Sequence, residues 1–242
     1  MPYFSIYTPT HNTKHLLRAA KSLEAQTFKD FEWLIMPNGE AELPELSRLP
    51  NCRIIEPSKD SKAIGFLKGE CCDAAKGNVL VELDHDDELT PDCLEELHKE
   101  FSNTSVDFCY SNDADLDSNL EPFVYTSRFG WKDRPFIYKG RIIKEQLSFP
   151  PTAASFSKIW FAPNHVRAWR KSFYEKIGGY DKTMDVLDDQ DILSRTYIHG
   201  NVKFIDKCLY IYYRHEGNTC YGDKNKFIQT ETLNIHDKYI YQ

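Results

Sequence analysis

The sequence predicts an α/β domain in which a mostly parallel central sheet is flanked by helices. Over the first half of the chain, short runs of β-branched and aromatic residues alternate with longer amphipathic segments, the pattern of successive βα units. Residues 79–83 have the length and composition of a buried strand. At 242 residues, of which 41% are hydrophobic, the chain is long enough for one large domain with a substantial core.

The predicted elements follow in order from the N-terminus. Residues 4–7 are predicted as a first strand that Pro9 breaks, and Asn12 or Thr13 is predicted to cap the next helix. Further strands are predicted over 31–36, 52–56, 78–83 and 107–111, and helices over 61–75 and 90–101. Strands that alternate with helices imply parallel pairing through right-handed crossovers.

The second half of the chain is less regular. Gly178 and Gly179 are predicted to end a helix that begins at Lys171, and a helix from 188 ends before Gly200. Strands at 202–205 and 210–213 and a helix over 224–242 complete the prediction. The segment 126–158 is predicted to be flexible. Within it, residues 128–144 alternate cations with aromatics, as in an exposed loop or a flap over a diphosphate or an anionic acceptor.

Composition excludes several classes of protein. The net charge is −7, from 30 basic and 37 acidic residues, so nucleic acid is not expected as the main partner. No apolar run reaches the roughly 20 residues that span a bilayer, and no charged leader precedes an apolar core, so we expect a cytosolic protein. The seven cysteines (52, 71, 72, 93, 109, 208 and 220) include no Cys-x-x-Cys pair, which favours buried thiols over a zinc site.

Three carboxylates follow the predicted strand 78–83 directly: Asp84, Asp86 and Asp87. In open α/β sheets ligands bind beyond the carboxyl ends of strands, and clustered aspartates repel one another unless a cation such as Mg²⁺ or Mn²⁺ is bound. The alternative is an acidic turn that lies in water or favours the dipole of the helix opened by Thr90 and Pro91. Both interpretations stay open from this motif alone.

Four motifs occur in order along the chain. They are Ser-Ile-Tyr-Thr-Pro-Thr-His-Asn at 5–12 with Ser-Leu-Glu-Ala-Gln-Thr-Phe-Lys-Asp-Phe-Glu-Trp at 22–33, Leu-Asp-His-Asp-Asp at 83–87, Gly-Gly-Tyr-Asp at 178–181, and Asp-Asp-Gln-Asp at 188–191. In this order they resemble the motifs of family-two glycosyltransferases of the GT-A fold. The resemblance implies one GT-A domain over 1–242, with a nucleotide-sugar-binding half (1–111) and an acceptor-binding half (112–242). It also implies metal-dependent, inverting transfer from a nucleoside diphosphate sugar.

The same resemblance implies a nucleoside pocket. Pro9, Thr10, Asn12 and Asn38 would line it, but Pro37 and Asn38 stand where the family usually has two acids. The Asn38 carbonyl oxygen can accept the N3 hydrogen of uracil, while its amide can donate to another base. Uridine is therefore the favoured nucleoside.

The resemblance also implies residues for the diphosphate and the metal. Asp84 would contact the ribose or nucleotide, and Asp86 would bind the metal with support from Asp87. Lys68 stands where an arginine often approaches the nucleotide, or else is a solvated helix lysine. His215 is a further metal ligand or an ordinary loop histidine.

By position in the last motif, Asp189 would be the general base that takes the proton of the acceptor hydroxyl. Asp188 and Asp191 would orient it or hold acceptor hydroxyls. The alternative is that these acids only cap a helix. Trp160 and Trp169 would stack on a sugar face or pack inside the protein.

Together these features predict a glycosyltransferase that uses Mn²⁺ or Mg²⁺ and a UDP-sugar. It would extend a glycan or lipid-linked acceptor in the synthesis of a surface polysaccharide, from the cytosolic side and in peripheral contact with a membrane. The alternatives are a protein that binds sugar nucleotides without transfer and a sugar nucleotidyltransferase. The glycine-rich, basic phosphate loop of the latter is missing near the N-terminus.

Overall fold

The computed structural model describes residues 1–39, 51–158, 160–215, 218 and 224–239. The strands in this part of the chain are β1 (Phe4–Thr10), β2 (Phe31–Pro37), β3 (Cys52–Ile54), β4 (Val79–Glu82), β5 (Glu88–Leu89), β6 (Phe108–Leu116), β7 (Pro122–Phe123), β8 (Lys132–Tyr138), β9 (Arg141–Leu147), β10 (Arg167–Arg170) and β11 (Val202–Tyr213). The helices are α1 (Leu16–Glu24), α2 (Ile64–Ala74), α3 (Cys93–Phe101), α4 (Ala153–Phe156), α5 (Lys171–Lys176), α6 (Asp188–His199) and α7 (Lys224–Tyr239).

The strands form one mixed sheet with the order β3-β2-β1-β4-β10-β6-β11-β5. Strands β3, β2, β1 and β4 pair in parallel, as the sequence predicts for βα units. Strand β10 is antiparallel to both of its neighbours, β4 and β6, whereas β6 and β11 are parallel. The α/β class is therefore confirmed, but parallel pairing dominates only in the first half of the chain.

Helices cover both faces of the sheet because its strands alternate buried side chains between two cores. On β1, Phe4 and Ile6 point into a core that α1 and α3 complete. Tyr7, on the opposite face, joins a second core with Phe66 of α2 and residues of α5 and α6. The carboxyl ends of β1, β2 and β4 are therefore held rigidly between two packed layers.

Several predicted boundaries and elements are wrong. Pro9 does not break β1, which continues to Thr10 beside the parallel β2. The two predicted strands at 202–205 and 210–213 form the single strand β11, which has register shifts between Ile205 and Tyr210. Neither the short strand β5 nor the central strand β10 was predicted.

The basic, aromatic segment 128–144 is not a loop. Strands β8 and β9 pair over their whole length as an antiparallel hairpin. Its two-residue turn is Lys139-Gly140, with φ of +48° and +76°. Two successive positive φ values are the requirement of a type I′ turn, the connection that matches the twist of paired strands.

The cysteine prediction is confirmed for Cys71, Cys72, Cys93, Cys109 and Cys208, which are buried free thiols, whereas Cys52 is partly exposed. Cys220 lies outside the described residues. None of the described helices has both the length and the apolar character needed to cross a membrane.

Candidate active site

The residues predicted to bind the sugar nucleotide, which is the donor of the reaction, meet at the carboxyl edge of the sheet. Strands β1 and β4 are parallel neighbours, so the end of β1 lies beside the acidic turn that follows β4. The Thr8 hydroxyl donates to the carbonyl oxygen of Leu83 at 2.7 Å, which fixes the beginning of that turn. The resemblance therefore placed both motifs at the same sheet edge, and the structure does the same.

The four residues predicted for the nucleoside lie around the ends of β1 and β2. The backbone N–H of Asn38 donates to the carbonyl oxygen of Thr10 at 2.7 Å, and the Thr10 hydroxyl donates to that of Asn12 at 2.9 Å. Pro9 is in the same strand. The helix-cap prediction is wrong, because His15 is the N-cap of α1 and makes no side-chain capping bond. The Asn12 side chain instead accepts from the backbone N–H of Lys14.

The acidic turn offers a candidate metal site. Asp84, Asp87 and His165 each present one ligand atom, and these three atoms lie within 4.8 Å of one another. Asp87 is fully buried and is held by the Tyr210 hydroxyl at 2.9 Å and the backbone N–H of Tyr213 at 2.8 Å. Two carboxylates and an imidazole are a donor set that suits Mn²⁺ and is compatible with Mg²⁺.

The protonation of these carboxyls supports the same interpretation. Burial raises the pKa of Asp84 to about 7, and the charges of Glu82 and Asp86 contribute to the rise. Burial, with the charges of Asp86 and Asp84, raises the pKa of Asp87 well above its usual range. These groups resist ionisation in the protein alone, and a bound cation would offset that cost.

Histidines surround the remaining carboxylate of the turn. Asp86 Oδ2 lies 2.6 Å from His215 Nε2, so the structure brings together the two residues predicted to bind the metal. His85 Nδ1 lies 4.0 Å from Asp86 Oδ1. His11 contacts His85 and His15 contacts His215, with ring centroids 5.1 and 5.8 Å apart. The sequence analysis assigned no role to His11 or His15, although both follow β1 at the edge of the sheet where the nucleotide is predicted to bind.

Lys68 is not a solvated helix lysine. Its Nζ lies 2.6 Å from Glu82 Oε1 on β4 and 3.0 Å from Asp188 Oδ2 on α6. Burial alone would lower the pKa of Lys68, but the two carboxylates, Asp188 first, raise it well above its ordinary value. A permanent positive charge is therefore fixed beside the acidic turn.

Glu82 is the main residue that sequence reasoning missed. It is buried, and besides Lys68 it has Arg167 Nη1 at 3.8 Å and His165 Nε2 at 3.7 Å from its Oε2. Burial alone would raise the pKa of Glu82, but Lys68 in the first place, and Arg167, lower it to about 2. Burial lowers the pKa of His165 to about 3, which leaves its ring neutral and able to bind a metal. The sequence did carry a signal for Glu82, because it is a charged residue within the otherwise apolar strand β4.

Asp189 is the accessible carboxylate of the last motif. Its side chain is 30% exposed, its Oδ2 lies 3.1 Å from Arg167 Nη1, and its Oδ1 accepts from the backbone N–H of Gln190. Arg167 also contacts Glu82, so a single guanidinium connects Asp189 to the network beside the donor residues. This geometry leaves Asp189 positioned and reachable, as a general base requires.

Asp188 and Asp191, the other two acids of this motif, are buried, unlike Asp189. Asp188 is buried against Lys68, which places it beside the donor residues. Asp191, predicted to orient Asp189 or to hold an acceptor hydroxyl, is buried, and both of its oxygens have protein partners, so either role stays a prediction. Arg195 donates to Oδ2 at 2.5 Å, and the Tyr239 hydroxyl donates to Oδ1 at 2.8 Å.

The two tryptophans predicted to contact a sugar also differ in their exposure to solvent. Trp169 is fully buried on β10, where its indole N–H donates to the Thr196 hydroxyl at 3.0 Å, so the prediction that it stacks on a sugar is wrong. Trp160 is partly exposed and packs against Phe129 and Phe149, with ring centroids 5.5 and 5.4 Å away. A role for Trp160 with the acceptor stays a prediction.

Comparisons with known proteins agree with this fold. The chain is 26% identical over 230 residues to a chondroitin synthase of Escherichia coli, covering 90% of this chain and 30% of that protein. It is 25% identical over 227 residues to a hyaluronan synthase of Pasteurella multocida, covering 90% of this chain and 21% of that protein. The chain thus spans less than a third of the length of these relatives.

Solved structures and a family model complete the comparison. The structure of S. aureus TarS 1-349 in complex with UDP-GlcNAc matches with a TM-score of 0.68 at 16% identity, over 99% of this chain and 73% of that one. The same protein in complex with UDP matches with a TM-score of 0.65. This likeness confirms the GT-A fold. The model of glycosyl transferase family 2 matches residues 5–178, which is more than half of the sequence, and the chain belongs to that family.

Proposed function

We propose that this protein transfers a sugar from a UDP-sugar to a hydroxyl of a glycan or lipid-linked acceptor, with inversion at the anomeric carbon. The observation that carries the proposal is the connected set of charges at the carboxyl edge of the sheet. The carboxylates that follow β4 lie next to Glu82, and Arg167 joins Glu82 to the accessible Asp189. A donor site and a base are thus held in one rigid arrangement.

The donor would lie along the ends of β1 and β2. Asn38 offers a carbonyl oxygen for the uracil N3 hydrogen, and Thr10 and Asn12 fix the backbone beside it. Support for uridine comes from TarS, whose structures are in complex with UDP-GlcNAc and with UDP. The sugar that this chain takes would be selected by side chains around its hydroxyl groups.

A divalent cation, Mn²⁺ or Mg²⁺, fits the acidic turn. Two sets of residues are candidates to hold it. The first is Asp84, Asp87 and His165, and the second is Asp86 with His215. When bound, the cation supplies positive charge that stabilises the departing nucleoside diphosphate. Lys68 adds a fixed cation from the protein itself, because Glu82 and Asp188 keep its Nζ protonated.

Asp189 would take the proton of the acceptor hydroxyl as that oxygen attacks the anomeric carbon. Arg167 would position the carboxylate through its contact with Oδ2. A base on the side of the sugar opposite the leaving group suits direct displacement, which inverts the anomeric centre. Trp160, partly exposed among aromatic rings, would contact a sugar ring of the acceptor.

The biological role would be the synthesis of a polysaccharide. The named activities of the relatives, chondroitin synthase and hyaluronan synthase, support this part of the proposal. We further propose that the enzyme acts from the cytosolic side and contacts the membrane peripherally, where a lipid-linked acceptor would be found.

A donor panel tests the proposal. Purified protein is incubated with UDP-, GDP- and dTDP-sugars and Mn²⁺, and release of the free nucleoside diphosphate is measured with and without glycan acceptors. We expect release from a UDP-sugar that rises when the right acceptor is added. Binding of a UDP-sugar without release under any of these conditions would indicate a binding protein, and formation of pyrophosphate from UTP and a sugar phosphate would indicate a nucleotidyltransferase.

A further inference from the structure

The hairpin of β8 and β9 exposes an apolar pair on its outer face. Ile137 and Ile142 are directly opposite in the register, so their side chains point to the same side of the hairpin. They are 72% and 74% exposed, more than any other large apolar side chain of the described residues except Met1. Two adjacent isoleucines with this degree of exposure indicate a surface that contacts another molecule or a membrane.

The opposite face of the hairpin is anchored in the protein. Ile143 and Tyr138 are buried against β6 and β11. The Tyr138 hydroxyl donates to Glu88 Oε2 at 2.5 Å, and the Tyr213 hydroxyl donates to the other oxygen at 2.8 Å. The hairpin is therefore a fixed element whose outer isoleucines have no room to turn inward.

The charge of the hairpin opposes that of the whole chain. Residues 132–147 contain five cations and two anions, a net charge of +3 in a protein whose net charge is −7. Lys139 lies in the turn, and Arg141 directly follows it. Both are largely exposed, although each contacts a carboxylate, as Lys144 does with Asp133. Exposed apolar side chains within a rim of cations are the pattern of proteins that bind anionic lipid surfaces.

We propose that the tip of this hairpin, with Ile137 and Ile142 as its apolar contact, docks the protein on an anionic lipid bilayer. The isoleucines enter the boundary between head groups and acyl chains, and Lys139, Arg141 and Lys144 lie at the level of the lipid phosphates. The location of the docking surface comes from the hairpin itself, whereas its use in reaching a lipid-linked acceptor rests on the proposed function.

The hairpin is adjacent to the candidate active site. Glu88, which holds Tyr138, directly follows Asp86 and Asp87 in the chain. Lipid contact at the tip would therefore hold the acidic turn close to the bilayer. An acceptor carried by the membrane would then be confined near the donor residues, which increases its effective concentration.

A second copy of the chain fits this surface less well than a bilayer. The outer strand β8 pairs only with β9 among the described strands, but Pro135 in its middle lacks the N–H that a further strand would need. A second hairpin would bring its own net charge of +3 against this one, and repulsion between like charges disfavours that pairing.

Vesicle sedimentation tests the proposal on the full chain. Vesicles of phosphatidylcholine, with and without phosphatidylglycerol, are mixed with wild type, with the double variant Ile137→Ser and Ile142→Ser, and with the control Ile54→Ser. Ile54 is 52% exposed on β3, at the far edge of the sheet, so it is an exposed isoleucine outside the hairpin. Melting temperature and UDP binding are measured for each protein.

We expect wild type and Ile54→Ser to bind vesicles that contain phosphatidylglycerol, more weakly at high salt, and the double variant to bind at least about tenfold less. UDP binding should be the same in all three, which separates this result from the proposed function. Equal binding by the double variant, or no binding by wild type, would overturn the proposal. So would a wild-type dimer that the double variant converts to monomer, because the surface would then join two copies.

Discussion

Lys68 Nζ on α2 lies 2.6 Å from Glu82 Oε1 on β4, and both side chains are buried. Asp188 on α6 contacts the same Nζ, and Arg167 on β10 contacts the other oxygen of Glu82. Two helices and two strands thus meet at one pair of charges. Because the pair lies beside the acidic turn, loss of either partner should disturb both stability and the donor site.

We expect Glu82→Gln to lower the free energy of unfolding by about 3–5 kcal/mol, the usual effect of leaving a buried charge without its partner. Urea denaturation monitored by tryptophan fluorescence measures it. The control is Glu121→Gln, whose carboxylate is 67% exposed beside Arg141 and should change stability by less than about 1 kcal/mol. Equal effects of the two substitutions would contradict a role for Glu82 in compensating the buried cations.

The raised pKa of Asp84 predicts a pH dependence. A carboxyl whose pKa rises from 3.8 to about 7 on burial contributes stability below its ordinary pKa and loses it as pH rises through about 7. In the metal-free protein, Asp84→Asn should therefore raise the melting temperature at about pH 8 and leave it nearly unchanged at about pH 4. Scanning calorimetry at the two pH values checks the sign, and a lower melting temperature at the higher pH would refute it.

The acidic turn also predicts that metal and nucleotide bind cooperatively. Mn²⁺ should raise the melting temperature more in the presence of UDP than in its absence, and Asp84→Asn should lose that extra increase. The increase should be smaller at about pH 5, where protonated carboxyls bind metal poorly. The exposed Asp60 provides the control Asp60→Asn, which should behave as wild type. Strictly additive shifts in wild type would argue against a shared site.

Asp189→Asn should lower the rate of sugar transfer by about 100-fold or more, because an amide cannot take the acceptor proton. The affinity for UDP, measured by calorimetry, should stay within about twofold, since the substitution removes no donor contact. Asp185, an exposed carboxylate on the segment before α6, gives the matched control Asp185→Asn. Normal turnover by Asp189→Asn would remove this residue from the role of base.

Gly179 of the third motif and Gly140 of the hairpin turn predict a further difference. Gly179 has a φ of +64°, and a Cβ there would lie 2.8 Å from the ring of Tyr174, whereas a Cβ at Gly140, with φ of +76°, would meet nothing within 4 Å. Gly140→Ala should lower the free energy of unfolding by about 1 kcal/mol, because alanine is strained in a left-handed backbone conformation. Gly179→Ala should lower it by roughly a further 1–3 kcal/mol, because the Tyr174 ring must move. Chemical denaturation of both variants measures the difference, which similar losses would disprove.

Local patterns were enough to predict the first half of the fold. Strands β1, β2 and β4 are short apolar runs, and α1 and α3 carry one apolar face, so periodicity located them to within a few residues. Strand β10 was missed because Arg167 and Arg170 bracket only two residues, and its burial depends on neighbours distant in sequence. The hairpin was mistaken for a loop, although Phe136 and Tyr138 alternate with outward-facing residues, as one buried face of a strand requires.

The candidate active site was likewise predictable only in part, where local motifs carry the information. The ordered motifs include Asp84, Asp86 and Asp189, and the structure brings these residues and His215 towards one edge of the sheet, since each lies at the end of a strand or the start of a helix; their roles stay predictions. The roles of Glu82 and His165 arise only from tertiary contacts. Trp169 and Asp191 are buried, whereas Trp160 and Asp189 are partly exposed, and the exposure of a single side chain is not encoded in its own motif.

Strand β10 has a consequence for how the molecule is made. It comes from late in the chain, yet it lies between β4 and β6, which do not pair with each other. During vectorial synthesis the ribosome must therefore release Arg167–Arg170 before the middle of the sheet can close. The donor strands emerge early but cannot complete their sheet until this later strand is free of the exit tunnel, so closure depends on contacts between segments far apart in sequence.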